Sequence, residues 1–243
     1  MDTTDARVFF ELDSLYKALD KEPATRVAFL EKHAELLETR DDLYTEYISL
    51  LNKTGRYEEA FERIMGHKFH PWEGGEGKIT AEYRISLMKK AEAAGSAEEK
   101  KALLTKALSY PENLGEGKLI GALDNDIYWL LSTVEEEPAK RQEYLALASR
   151  GENNFTSAMY YNDQPPEMMY FRGLALKALG KESEAFEIAD GMTKYGTEHM
   201  NDEMKIDFFA VSLPDFLIFE ADLNKKNKRH CENMIALGTK IKA

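Results

Sequence analysis

Two stretches of this 243-residue chain, 40 positions apart, carry the same residues: Pro71, Gly75, Glu76, Gly77 and Lys78 recur as Pro111, Gly115, Glu116, Gly117 and Lys118. Glycines that bare backbone N–H groups ahead of a helix, followed by a lysine, suggest a phosphate cradle. The P-loop template is not met. Trp72 and Glu112 stand where it needs its first glycine, Ile79 and Leu119 replace its Ser or Thr, and Glu76 and Glu116 put negative charge where a phosphate would lie. A structural reading has the glycines supplying turn geometry, the glutamates capping the helices that follow, and Lys78 and Lys118 pairing with acidic neighbours. A recognition reading starts from Trp72. An indole beside Glu73 and Glu76, with Asn113, Glu116 and Asn125 brought near by stacked helices, offers a plate for a sugar ring and acceptors for its hydroxyls. Tyr161, Asn162, Asp163 and Gln164 repeat that chemistry.

Other constellations are weaker. His67 and His70 with Glu73 and Glu76 lack the i, i+4 helical spacing of a zinc pair, so no metal site and no cofactor is expected. Asp124 with Asp126, or Asp215 with Asp222, could form an acid–base pair, but 44 carboxylates in the chain produce such pairs by chance. Cys231 is the only cysteine, which excludes an intrachain disulfide and favours a reducing compartment. Lys228, Arg229 and His230 beside it could lower its thiol pKa, though a half-buried helix residue is the simpler reading. A net charge of −12 argues against nucleic acid or an anionic membrane as partner. The acidic start Met1–Asp5 leads into an amphipathic pattern, unlike a signal peptide, and no apolar run is long enough to span a membrane. The expected location is the cytoplasm.

The elements that must carry these loops read as helices. Leu, Ala, Glu and Lys dominate, and apolar residues recur at spacings of three and four. The pattern predicts helices over Ala6–Leu19, from Pro23, from Asp41 to near Gly55, and over Ala81–Ala94, Ala97–Ser109, Leu119–Val134 and Ala139–Arg150. Further helices are predicted over Met168–Leu179, Ser183–Tyr195, Glu203–Val211 and Arg229–Lys240, with a proline-rich loop at 160–166. The apolar stretch 208–219, broken by Pro214, reads as a helix, a break and a short second helix.

With Gly55 as the turn, Tyr44, Leu51, Tyr57 and Ala60 fall at the signature positions of a helical hairpin that resembles a tetratricopeptide repeat. Gly173, Gly180 and Ala185 repeat the match 125 residues later. The strings HPWEGGEGK, NLGEGK, YYNDQPP and SLPDFLIFEADLNKKN also resemble the C-terminal helical-repeat region of large uncharacterised bacterial proteins. The N-terminal half of those proteins resembles a carbohydrate-type β-sandwich, which nothing here matches. The resemblance runs from about Phe9 to Leu237 and implies a piece or a standalone relative, with no established activity.

The expected fold is therefore an all-α, tetratricopeptide-like superhelix of about ten to twelve helices, a single domain over 1–243 with regular hairpins over 1–150 and a more irregular part over 151–243. The expected function is a non-catalytic protein-interaction or scaffold module. Its partner would be another protein or the missing N-terminal domain of a longer chain. The alternative is an accessory glycan-binding part of a carbohydrate-active protein, with loops 70–78, 110–118 and 160–166 lining the sugar site.

Overall fold

The computed structural model describes residues 5–72, 74–157, 164–205 and 223–243. Among them every regular element is helical and no strand occurs. The principal helices are α1 (Ala6–Ala18), α2 (Pro23–Leu30), α3 (Ala34–Leu37), α4 (Asp41–Lys53), α5 (Tyr57–Gly66) and α6 (Lys78–Ala93). They continue with α7 (Ala97–Lys106), α8 (Asn125–Val134), α9 (Pro138–Ala148), α10 (Pro166–Ala178), α11 (Glu182–His199) and α12 (Leu223–Lys242). Short 3₁₀ turns cover Glu31–His33 and Glu112–Leu114.

Three helix ends share one device. After α4, the Arg56 N–H donates to the Leu51 carbonyl at 2.9 Å and the Gly55 N–H to Asn52 at 3.1 Å. After α10, Lys181 and Gly180 repeat those bonds to Leu176 and Lys177, both at 2.9 Å. Gly55 and Gly180 sit at φ of +81° and +76°, the left-handed conformation that lets the chain turn back while satisfying the last carbonyls. After α1 the same pair of bonds closes around Asp20, an L-residue held at φ +52°. The two glycines at which the tetratricopeptide resemblance is centred thus terminate helices as their positions imply. Ala60 and Ala185 are fully buried one turn into α5 and α11.

The described chain gathers into two compact units: residues up to 94 together with 109–118, and residues 95–108 with those from 119 onward. In the first, α4 is the central helix. It packs against α2, α5 and α6, and Leu43, Tyr44, Tyr47, Ile48, Leu50 and Leu51 are all buried. In the second, Met169, Leu176, Ile188, Met192, Met234 and Ile241 join α10, α11 and α12 in one core, and Leu145, Ala148 and Ala175 form another with Tyr128 and Trp129 against it.

The sequence pattern is not followed everywhere: residues 203–205, expected to open a helix over Glu203–Val211, are not helical. The helix expected from Leu119 begins only at Asn125, because Gly121 at φ +85° diverts the backbone first. Leu119 and Ile120 are left exposed. Residues 206–222, including the whole apolar stretch 208–219 and Asp215 and Asp222, lie outside the described residues, as do Glu73, Tyr161, Asn162 and Asp163.

Candidate functional site: two interlocked loops around Trp72

The two copies of the repeated loop do not share a conformation; they bind one another. In the first copy Gly77 is left-handed (φ +74°) and Lys78 opens α6 directly. In the second copy it is Gly115 that is left-handed (φ +71°), at the end of the 3₁₀ turn, and no helix starts at Lys118. The Glu116 carboxylate accepts the Gly77 N–H at 2.8 Å. Glutamate does cap a helix here as its type suggests, but it caps the helix of the other copy, where the N-terminal dipole favours a negative charge.

Asn113 completes the interlock. Its amide nitrogen donates to the carbonyls of Ile64 and His67, at 2.7 and 2.8 Å, at the end of α5, and its own carbonyl accepts the Phe69 N–H at 2.8 Å. Asn113 is thus committed to backbone. Gly115 passes so close to Phe69 that a Cβ there would lie 2.5 Å from the Phe69 carbonyl oxygen.

Trp72 sits on this platform. A turn closed by the Gly75 N–H donating to the Trp72 carbonyl at 3.0 Å folds the indole over Gly75, which is buried beneath it. A methyl group on Gly75 would overlap the indole carbons. The ring is half-buried, while His70, Pro71, Glu76 and Lys78 are exposed. Glu116 is partly buried; that burial, aided by the negative charge of Glu76, raises its carboxyl above the usual range despite the Gly77 N–H. Lys118 lies 5.8 Å from the centre of the Tyr110 ring.

His67 and His70 converge on Asp41, a residue the sequence marks only as a helix start. Asp41 is the first residue of α4. One of its oxygens meets His67 Nε2 at 2.7 Å; the other accepts the His70 N–H at 2.8 Å and lies 3.1 Å from His70 Nδ1. Burial works to raise the Asp41 carboxyl, but the two histidines together hold it below its ordinary value. The strap 67–72 that carries Trp72 is therefore tied to α4 through His67 and His70, and to Asn113 through the His67 carbonyl and the Phe69 N–H. Among the described residues no group of three His, Cys, Asp or Glu side chains is arranged to hold a metal ion.

The remaining candidates serve the second unit's own structure. Asn125 is buried, and its amide nitrogen donates to the carbonyls of Ala148 and Arg150 at the end of α9, at 2.6 and 2.9 Å. Asp124 and Asp126 are buried beside it, and Asp126 accepts the Ile127 N–H at 2.8 Å in the first turn of α8. Gln164 is part-buried ahead of α10, its amide nitrogen without a hydrogen-bond partner among the described residues. Cys231 is fully buried, and burial, with Asp202 and Glu232, pushes its thiol up rather than down. The neighbouring cations of the sequence do not set its chemistry.

No family model matches the chain, and no solved structure is significantly similar to it. The site stands on its own geometry. What it presents is a rigidly backed indole, two acidic side chains and an exposed imidazole on paired loops.

A buried ion cluster escaped the sequence reading. Arg26 of α2 donates through Nε and Nη2 to the two oxygens of Asp13 in α1, at 3.0 and 2.5 Å, and again to Glu46 of α4 at 2.7 Å. Lys17 reaches the other Glu46 oxygen at 3.2 Å. Burial raises the Asp13 carboxyl, whereas Lys17 and Arg26 overcome burial at Glu46 and hold it down to about 2. No motif signals this cluster, because its members are separated by 13 and 20 residues on three helices.

Proposed function

We propose that the chain is a non-catalytic interaction module whose hairpins stack in the tetratricopeptide manner, and that the paired loops around Trp72 are its recognition surface. The observation that carries the reading is the partly buried indole seated on buried Gly75. A large aromatic left partly in solvent and held rigid by its own turn is the kind of anchor that dominates binding interfaces, since little side-chain entropy is lost when a partner covers it. The burial of Asn113 in backbone contacts and the interlock through Glu116 support a platform built for presentation, with the chemistry of the loops spent on shape.

A second reading keeps the same site and changes the ligand. A backed indole flanked by carboxylates also suits the C–H face of a sugar ring, and the resemblance to proteins with a carbohydrate-type domain favours an accessory glycan role.

Affinity capture with wild-type protein and with Trp72→Ala, both shown to melt cooperatively, tests the site. Specific partners recovered by the wild type are expected to be lost from the variant. Equal recovery by both would reject Trp72 as the anchor.

A further inference from the structure

The structure supplies a reason to choose among ligands, and this choice rests on the recognition surface proposed above. The partly buried indole lies over Gly75, next in sequence to the exposed Glu76, and the Glu116 carboxylate is fixed one residue further on by the Gly77 N–H. The two loops together bring Glu76 and Glu116 within electrostatic reach of each other, with Glu76 exposed. Of the cations in the same segments, Lys118 approaches the Tyr110 ring.

An aromatic face attracts a cation through its quadrupole, and it does so best for tryptophan. Two carboxylates that disfavour each other's charge gain more from an arriving cation than from a neutral hydroxyl. The net charge of −12 adds long-range attraction for a basic partner and repels an acidic one. We infer that the Trp72 platform binds a basic peptide segment of a protein partner, an arginine or lysine head group lying on the indole with its charge met by Glu76 and Glu116. A neutral glycan would use the plate and leave the carboxylate repulsion unrelieved.

Titration calorimetry with an arginine- and lysine-rich peptide tests this, run at low and at physiological salt beside Trp72→Ala and Glu76→Gln proteins. Glu76 is exposed, so its substitution tests charge without risking the fold. The expected result is binding that weakens as salt rises and that drops about tenfold in each variant, with the Glu76→Gln melting point unchanged. Binding of the peptide unaltered by Glu76→Gln would overturn the proposal, because attraction would then come from the acidic surface at large. A neutral oligosaccharide is titrated in parallel, and tryptophan emission is read against a Trp72→Phe blank. An emission shift with the sugar and none with the peptide would overturn the basic-partner inference while leaving the recognition surface standing. Silence at Trp72 with both probes, together with unchanged partner capture by Trp72→Ala, would remove the surface itself.

Discussion

Gly75 carries no side chain because the indole of Trp72 fills the space one would need. Gly75→Ala is therefore expected to expel the ring, and quenching of tryptophan emission by acrylamide should rise in the variant. Unchanged quenching would show that the ring does not rest there. Trp72→Ala is expected to cost about 1–2 kcal/mol in chemical denaturation, short of the roughly 3–5 kcal/mol of a fully buried tryptophan. Asp41 gives a pH signature. Its carboxyl titrates below its ordinary value of 3.8, so its contribution is fully present above that value and is lost as pH falls through the lower, folded-state value. Asp41→Asn should cost about 1–2 kcal/mol near neutrality, with the gap to wild type closing under acid. A gap independent of pH would contradict the charged contact with His67 and His70. At this scale the sequence was only half legible. Trp72 and the paired glutamates stand out by type, whereas the role of Asn113 depends on the carbonyls of Ile64 and His67, 49 and 46 residues away, which no local pattern encodes.

Helix ends were the most legible elements, since one residue type fixes each turn. Gly55 and Gly180 adopt left-handed backbone with open space around them. Alanine at either is expected to cost about 1–2 kcal/mol from backbone strain alone. Asp20→Gly, at the equivalent turn after α1, should be neutral or stabilising, and urea midpoints of the three variants would expose any exception. The repeated loop was read less well for a physical reason. Identical residues lead into Ile79-Thr80-Ala81 in one copy, which propagates a helix, and into Leu119-Ile120-Gly121 in the other, where the glycine prevents it. The two copies then fit each other by being different. Hydrophobic spacing also conceals buried charge: Arg26 looks like a solvent-facing residue of α2 and is 4% exposed. Arg26→Ala, which strands Asp13 in the core, is expected to cost about 3–5 kcal/mol.

For the whole molecule, the composition and the three-to-four spacing of apolar residues specify an all-helical chain, and every regular element among the described residues is helical. The segment 109–118 leaves the sequence neighbourhood of α7 and joins the unit built by α1–α6, carrying Asn113 and Glu116 to the Trp72 strap. Sequence order alone does not reveal that return, because its evidence is a set of backbone contacts rather than an apolar period. The account rests on those paired loops being the surface that partners read. Amide hydrogen–deuterium exchange, measured on the protein alone and with the partner recovered by affinity capture, tests this most directly. The account expects new protection concentrated in residues 67–78 and 110–118; protection confined to α8–α12, with those loops exchanging as in the free protein, would contradict it.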